Sequence, residues 1–458
     1  MGLLDLSADF KKSLIKKLES EKTVENFDIQ FSNQYDLPYK LKVNPKNVLI
    51  IGAGGGNDAA AAVRAMIPSI DAVEIDPGVI SLGRKYHPEN PYSSPTVKIT
   101  VDDGRSFLKK TKSKYDIVIM SLADSHTLNS SLNNIQLDNF LYTKESMAEV
   151  KNVLNPDGLV FISFDVRRPW IGAKIQTNLS RVFGHSPLVF SLQNELPLFG
   201  WGGVIFVQDF AKGQVENNLL SSPELKQFID DRKLSFDDPV EELTDDWPYL
   251  YLDKPRFPTI HLIMSFGIML FLIFAKNSMA QTGKFRWDSF LLGAGFLLFE
   301  FQNISKTSLL YGNTWTTNVY TISAVLVFIL IANLISVKVK IPLKACYALL
   351  FLAFIVEIAM PISFFNQFST ITKYLISPLV LNLPLLFSGL IFINLFRRVR
   401  DRQSFFASNL IGSAFGGMLG IFSYLYGLKF LLYVSLLMYI LSMVSLWRSR
   451  FNQSSQRI

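Results

Sequence analysis

The strongest constraint on the fold of this chain is an apolar run that opens into a glycine-rich turn. Residues 47–58 read Asn-Val-Leu-Ile-Ile-Gly-Ala-Gly-Gly-Gly-Asn-Asp, and Glu74 lies in the next apolar run. Glycine lets the backbone turn sharply near a ligand, and a carboxylate at the tip of the second strand can accept hydrogen bonds from ribose hydroxyls. The motif predicts a nucleoside-binding domain. Its candidate cofactor-binding residues are Gly52, Gly54, Gly56 and Glu74.

Short apolar runs continue beyond this motif and alternate with stretches of helical pattern. The apolar runs lie at 48–51, 72–75, 97–101, 117–120, 159–164 and 204–207, and the helical stretches include 59–66, 79–85 and 144–154. Strands that alternate with helices are typical of a parallel, doubly wound sheet. We therefore predict an α/β Rossmann-like domain over residues 47–210.

The chain after residue 257 has the composition of a membrane protein. Overall 49% of its residues are hydrophobic and 38 are phenylalanine. Apolar spans fall near 258–275, 288–311, 317–337, 341–363, 374–396, 404–426 and 428–447. Each is about long enough to cross hydrocarbon as a helix. The pattern predicts an all-α polytopic transmembrane bundle of six to seven helices over 258–447, followed by a basic tail at 448–458.

The cations explain the net charge of +7 without nucleic acid. They collect after span one, between spans three and four, between five and six, and in the tail, which marks those segments as cytoplasmic. Residues 1–46 hold no apolar export signal, so we expect the nucleoside-binding domain to be cytoplasmic too. Seven crossings would place it outside. We therefore favour six crossings, with a short first span that is re-entrant or interfacial.

Two segments have patterns with two interpretations each. Residues 3–18 place leucines and lysines at helical spacing, which predicts a basic amphipathic helix on a membrane surface or packed on its own domain. Residues 211–257 are rich in acids, with Asp230 to Asp246 holding eight. That segment is either a solvated linker or an acidic lid that attracts a cationic substrate.

Further motifs follow the glycine turn in a fixed order. They are Glu-Ile-Asp at 74–76, Asp-Asp-Gly at 102–104, Tyr-Asp at 115–116 and Asn-Pro-Asp-Gly at 155–158. This order resembles the spermidine synthase (aminopropyltransferase) family, and more closely its bacterial membrane-fused members. The resemblance implies a class I methyltransferase or spermidine synthase type of fold. It also implies a transferase in the bacterial inner membrane that uses S-adenosylmethionine or decarboxylated S-adenosylmethionine.

The resemblance also assigns roles to residues. Glu74 would bind the ribose hydroxyls, and the three glycines would lie beneath the amino-acid or aminopropyl end. Asp103 would accept a hydrogen bond from the adenine amino group, while Gly104 would allow close approach. Asp103 also stands where a helix N-cap is expected, and both roles are compatible.

The chain departs from the family pattern at two acids. The family carries two aspartates three residues apart after the fourth strand, but here Ser121 stands at the first position and Asp124 at the second. Gly55 replaces an acid in the glycine turn, and Asp58 follows three residues later. An attacking amine must be neutral, and its other ammonium ends need carboxylates. We predict Asp124 as catalytic, with His126 as a second proton acceptor.

Other candidates lie further along the chain. By resemblance alone, Asp138, Tyr142 and Trp247 are pocket residues. Glu300 and Lys306 fall within one apolar span, where each uncompensated charge costs about 2.5–3.5 kcal/mol. We expect Lys306 to pair with a glutamate, either as a structural ion pair or on a polar substrate path.

Three functions follow from these observations. Aminopropyl transfer to an amine comes first, and methyl transfer to a lipid or membrane-associated acceptor comes second. The third is transport by the bundle, with a nucleoside-sensing domain. The expected partners are a small-molecule acceptor and the lipid bilayer. We find no metal-ligand or nucleic-acid motif in the sequence, and homo-oligomerisation is left open.

Overall fold

A computed structural model describes residues 33–121, 140–192, 203–280, 284–312, 314–368 and 370–455. The chain divides into two compact units, Met1–Asp253 and Lys254–Ile458. The predicted amphipathic helix at 3–18 lies outside the described residues. So do three predicted site residues, which are Asp124, His126 and Asp138.

The described residues of the first unit form a seven-stranded sheet. Its strands are β1 (Asn47–Ile51), β2 (Ser69–Glu74), β3 (Val97–Val101), β4 (Tyr115–Ser121), β5 (Leu154–Phe164), β6 (Leu188–Ser191) and β7 (Val204–Asp209). The strand order is β3-β2-β1-β4-β5-β7-β6. Strands β1 to β5 pair in parallel, as the sequence predicts. The α/β Rossmann-like fold of the methyltransferase and spermidine synthase type is thus confirmed.

The far edge of the sheet corrects the prediction of a wholly parallel sheet. Strand β7 pairs antiparallel with β5, and β6 pairs antiparallel with β7. Every residue of β7 is buried, so it has the continuous apolar pattern that parallel strands also show. Strand β6 is missing from the prediction because four residues are too few for a clear periodicity.

Helices cover the two faces of this sheet. In chain order they are α1 (Leu37–Leu41), α2 (Asn57–Arg64), α3 (Pro77–Tyr86), α4 (Gly104–Lys110), α5 (Lys144–Val153), α6 (Pro169–Phe183), α7 (Gln214–Leu220) and α8 (Pro223–Asp230). Alternate strand residues serve different cores: Ile50 and Ile117 belong to one cluster, and Leu49 and Val118 belong to the other. Because both faces are covered, ligand access is left to the sheet edge.

Part of the acidic segment, residues 243–250, is packed in the first unit, while five of its eight acids, between 230 and 241, are exposed. Its role as a linker or a lid stays a prediction. Leu243, Trp247 and Leu250 are buried in the same cluster as β4 and β5. Asp245 accepts two hydrogen bonds from the guanidinium of Arg105, at 2.5 and 2.8 Å. Apolar anchors and a buried ion pair therefore hold the segment, although its composition is that of a surface loop.

Helices are the regular secondary structure of the second unit in its described parts. Its helices are α9 (Thr259–Ala280), α10 (Trp287–Tyr311), α11 (Trp315–Lys338), α12 (Leu343–Ala359), α13 (Thr370–Leu381), α14 (Leu383–Arg398), α15 (Arg402–Leu419), α16 (Ser423–Tyr426) and α17 (Leu428–Ser455). By length and composition, four described helical segments could cross a membrane. They are Thr259–Asn277, Thr317–Lys338, Arg402–Tyr426 and Leu428–Arg448. The count becomes five if the bent pair α13 and α14 forms one span.

The prediction of six to seven crossings differs from this count at identifiable places. Helix α10 is interrupted by charges at Asp288, Glu300 and Lys306, and α12 has only 17 residues. Helix α9 has 22 residues and is apolar enough to cross. Its apolar part, Thr259–Asn277, is 19 residues and the shortest of the four, and its re-entrant or interfacial placement stays a prediction.

Small residues bring α10 and α15 into close contact. A Cβ atom at Gly412 would collide with the carbonyl oxygen of Phe290, and one at Gly416 would collide with that of Ala294. Between helices in an apolar setting, small residues permit backbone contact of this kind. Gly412 and Gly416 therefore have a helix-packing role.

Candidate functional site

The glycine turn lies at the carboxyl end of β1 and is held against β2. Gly52, Gly54 and Gly56 have φ angles of 75°, 54° and 106°. The amides of Gly52 and Ala53 donate to the carbonyl oxygen of Val73 at 2.9 and 3.0 Å. L-residues rarely adopt such left-handed angles, so the turn requires its glycines. The predicted location of the turn is confirmed.

A tyrosine that the sequence analysis missed fastens this turn. The Tyr92 hydroxyl donates to the carbonyl oxygens of Ala53 and Gly54, at 3.0 and 2.6 Å. Its ring lies against Gly56, where a Cβ would be 3.4 Å from the nearest ring atom. Burial is the main cause that raises the pKa of Tyr92, so the hydroxyl stays protonated as a donor. No local motif points to this role, because Tyr92 lies in a single 3-10 turn, Pro91–Ser93, after α3.

Glu74, the last residue of β2, is oriented by two backbone amides. Its Oε2 accepts from Gly54 N at 2.8 Å, and its Oε1 accepts from Asp76 N at 3.0 Å. The residue is 9% exposed, so the carboxylate is largely buried but open at the sheet edge. Each carboxylate oxygen has a second lone pair and can accept a further hydrogen bond. The geometry suits a ribose diol, and ribose binding itself stays a prediction.

Asp103 and Gly104 begin α4 beyond the end of β3. Asp103 Oδ1 accepts from Ser106 N at 2.8 Å, which confirms the predicted N-cap. A Cβ at Gly104 would collide with the side chain of Ile51. The close approach that Gly104 permits is therefore made by the last residue of β1. Contact of Asp103 with an adenine stays a prediction.

Ser121 and Asp58 meet at the carboxyl ends of the two central strands. Ser121 Oγ donates to Asp58 Oδ1 at 2.9 Å. Ser121 ends β4, which pairs with β1, and Asp58 lies in the first turn of α2, just after the glycine turn. Both residues are buried, and burial raises the pKa of Asp58 to about 7. In the sequence Ser121 and Asp58 belong to two separate departures from the family pattern, and this hydrogen bond joins them.

The surroundings of Asp58 hold two further tyrosines. Burial and the nearby Asp58 carboxylate raise the pKa of Tyr35 and of Tyr39. The Tyr35 hydroxyl accepts from Asn57 Nδ2 at 3.3 Å, and the amide oxygen of Asn57 is 3.1 Å from His87 Nε2. These residues border a polar pocket of about 370 Å³ beside α2. Its lining is Asn33, Tyr35, Asp36, Asn57, Ala60, Arg64, His87 and Glu89.

Residues 34–211 match the family described as "Spermine/spermidine synthase domain". The N-terminal domain is spermidine-synthase-like. Polyamine aminopropyltransferases are among its relatives. The protein from Pyrobaculum calidifontis is 28% identical over 165 residues, which are 34% of this chain and 54% of the relative. The protein from Sulfurisphaera tokodaii is 31% identical over 157 residues, which are 33% and 50%. The chain thus spans about half the length of these relatives.

Solved structures are also similar to part of the chain. A spermidine synthase in complex with the transition-state analogue AdoDATO is 20% identical with a TM-score of 0.33, covering 48% of this chain and 68% of that one. Human Methyltransferase-like protein 13 in complex with SAH is 18% identical with a TM-score of 0.31, covering 46% and 92%.

The remaining candidate site residues in the described part of the spermidine-synthase-like domain, Tyr142 and Trp247, make packing contacts. Tyr142 is buried, its ring is 5.2 Å from that of Phe164, and its carbonyl accepts from Asn178. Trp247 lies under the ammonium of Lys174, which is 4.5 Å from the ring centroid. The structure therefore brings together the glycine turn, Glu74, Asp103, Asp58 and Ser121 at one edge, and packs Tyr142 and Trp247 in the core. No described group of His, Cys, Asp and Glu side chains could hold a metal ion.

Proposed function

We propose that the spermidine-synthase-like domain is a transferase that moves an aminopropyl group from an S-adenosyl donor to an amine. The observation that carries this proposal is the buried hydrogen bond between Ser121 and Asp58. Through this bond Asp58 supplies a carboxylate beside Ser121, which occupies the position of the family's first acid. The names of the polyamine aminopropyltransferase relatives support the same reaction class.

The residues present fit an S-adenosyl donor. The Glu74 carboxylate is already oriented by two amides, and it would bind the ribose. A Cβ at Gly55 would meet nothing within 4 Å, so there is open space above the turn. Asp103 would accept from the adenine amino group. When bound, the donor supplies an electrophilic carbon beside a positively charged sulfur.

The chain's own residues would prepare the acceptor. An amine reacts only after it has lost a proton, and a base works best when its pKa is near the operating pH. The pKa of Asp58, about 7, meets that condition. An amine N–H can donate to Ser121 Oγ, whose own proton is directed at Asp58. The amine proton would then pass through the hydroxyl to the carboxylate, and we predict that Asp124 binds the acceptor beside this pair.

The test is a transfer assay with labelled donor and a panel of diamines. We expect a labelled polyamine product from the wild type. Asp124→Asn should abolish transfer and leave donor binding nearly intact. Ser121→Asp should raise transfer, because it restores the family's acid and its carboxylate can take the amine proton directly in place of the hydroxyl. Transfer at the wild-type rate by Asp124→Asn would remove Asp124 from the proposal. Absence of any labelled amine product would remove the amine acceptor.

A second candidate is methyl transfer to a lipid or another uncharged acceptor. It is favoured by Gly55 and Ser121, which leave the site without two carboxylates that the ammonium ends of a polyamine would need. Ser121→Asp separates the two functions. With an uncharged acceptor the added charge should lower turnover, because a buried charge without a partner is destabilising.

We also propose that the helical unit anchors the domain in a bacterial inner membrane, with the domain on the cytoplasmic side. Four or five sufficiently long apolar helices support the anchoring. The distribution of cations between the spans supports the orientation.

A further inference from the structure

The middle of α10 carries a row of buried polar side chains in an apolar unit. Gln302 is 1% exposed and Asn303 is 0% exposed. Lys306 lies one turn further along the same face of the helix. Polar groups buried without hydrogen-bond partners are destabilising, more so in a unit that has the composition of a membrane bundle. The hydrogen-bond partners of these side chains therefore show whether every polar atom in the row is satisfied.

The first contact of this row is an ion pair with a carboxylate, in which only one of the two carboxylate oxygens takes part. Lys306 Nζ is 2.9 Å from Glu357 Oε1 on α12. The predicted pairing of Lys306 with a glutamate is thus confirmed. Glu357 is 3% exposed, and its other oxygen, Oε2, has no hydrogen-bond partner among the described residues. One acceptor of the pair remains free.

The second contact fixes the orientation of an asparagine amide. Asn382 Nδ2 donates to the Pro378 carbonyl at 2.9 Å, so its Oδ1 is the acceptor for Asn303 Nδ2, also at 2.9 Å. The Asn303 amide must then present its oxygen on the other side. That oxygen has no partner in the described part of the chain, and neither does Gln302 Oε1.

The row of polar side chains on α10 also contacts a break between two helices. Helix α13 ends at Leu381 and α14 begins at Leu383, with a bend of 41° between them. Asn382 is the residue at the break, and Pro378 lies one turn before it. In membrane bundles, helices interrupted in this way line binding sites for ions and polar solutes. The contact between Asn303 and Asn382 therefore places the row beside such an interruption.

We propose that Gln302, Asn303 and Glu357 form a binding site for a small monovalent cation, either an alkali metal ion or the ammonium group of an amine. Three buried oxygens lack a hydrogen-bond donor among the described residues, and the ammonium of Lys306 is bonded to the other oxygen of Glu357. A cation, or an ammonium with its three N–H donors, meets this need, and an anion does not.

The formal charges agree with this ligand class. Glu300 lies on the same helix, one turn before Asn303, and no described cation forms an ion pair with it. With Glu357 and Lys306 it gives a formal charge of −1 when all three are ionised. Binding of one monovalent cation would neutralise the cluster. The site is independent of the reaction proposed for the N-terminal domain.

The experiment uses the full chain in detergent micelles, titrated calorimetrically with sodium, potassium or methylammonium chloride. N-methyl-D-glucamine chloride is the control for ionic strength, because its cation is too bulky for such a site. We expect saturable binding in the sodium or potassium arm if the ligand is a metal ion, and in the methylammonium arm if it is an amine. Absence of saturable binding in all three arms overturns the proposal.

Two variants separate a ligand site from a structural ion pair. Glu357→Gln should weaken binding at least tenfold. Gln302→Met removes an oxygen that has no partner, so it should weaken binding several-fold and also raise the melting temperature of the ligand-free protein. Asp288→Asn is the matched control, because Asp288 is a buried carboxylate on α10 that pairs with Arg286. It should bind like the wild type.

A purely structural cluster gives a different pattern. Glu357→Gln would lower the melting temperature, and neither Glu357→Gln nor Gln302→Met would change the affinity for any cation. That pattern overturns the proposal. If Glu357→Gln does not fold, Gln302→Met decides, because it leaves the ion pair with Lys306 intact.

Discussion

The hydroxyl of Ser121 and the carboxylate of Asp58 form a 2.9 Å hydrogen bond between the end of β4 and the first turn of α2. Ser121 stands where the spermidine synthase pattern has its first acid, and Asp58 follows three residues after Gly55, which replaces another acid of that pattern. Because the two departures are in contact, the serine gains a carboxylate that its own position lacks. The pair lies at the sheet edge that also holds the glycine turn and Glu74, where open α/β sheets bind ligands.

Burial of Asp58 should make stability depend on pH. Its pKa rises from 3.8 to about 7 on folding, so the folded protein binds a proton that the unfolded chain has released between these values. Wild-type stability should therefore fall as pH rises through this range. Asp58→Asn cannot ionise and should be more stable than the wild type at about pH 8 by up to a few kcal/mol.

Thermal melting of the full chain at about pH 5 and about pH 8 checks this prediction. The gain in Asp58→Asn should be present at the higher pH and absent at the lower one. Ser121→Ala keeps the carboxylate but removes a hydrogen bond that lowers its pKa, so the pH dependence should persist and extend to higher pH. An equal effect of Asp58→Asn at both pH values would show that the Asp58 carboxylate does not titrate in this range.

Glu74→Ala should weaken binding of S-adenosyl compounds by roughly 1.5–3 kcal/mol, because it removes a charged hydrogen-bond acceptor. Calorimetry with S-adenosylmethionine, its decarboxylated form and the thioether product measures this loss. Asp71→Asn is the matched control on the same strand, since Asp71 accepts from the Tyr115 hydroxyl instead. If the wild type binds none of the three compounds, the donor assignment is wrong.

Arg105→Met should loosen the acidic segment. It removes the buried guanidinium that pairs with Asp245 and Glu149 and leaves Glu149 with Lys109 alone among the described cations, a loss of roughly 3–5 kcal/mol for buried pairs. We expect a lower melting temperature and faster proteolysis between residues 230 and 253. Arg64→Met breaks only exposed ion pairs and should change stability by at most about 1 kcal/mol. Equal effects of the two variants would contradict the docking of this segment.

Cysteine labelling tests the orientation in the membrane. After replacement of Cys346 by serine, a cysteine at Met66, which is 87% exposed, should resist an impermeant reagent in intact cells. A cysteine at Asn366 should be labelled, because its loop lies on the side with few cations. Labelling at 66 in intact cells would place the domain outside.

Much of the site follows from the sequence, because parallel strands end at one edge. The glycine turn and Glu74 lie where the motif places them. The bond between Ser121 and Asp58 does not follow, since it joins positions 63 residues apart and depends on β1 and β4 being neighbours. The packing of the acidic segment cannot be predicted from the sequence either. It requires burial of Arg105, whose position in α4 has no distinct pattern.

The most direct test of the proposed function is the rate of alkyl transfer by Asp58→Asn, measured with labelled donor together with calorimetric donor affinity. If Asp58 takes the acceptor proton through Ser121, turnover should fall by about 10²–10⁴-fold while donor affinity stays within about twofold of the wild type. Asp71→Asn should keep both values. Wild-type turnover in Asp58→Asn, at unchanged donor affinity, would contradict a role for this carboxylate in the reaction.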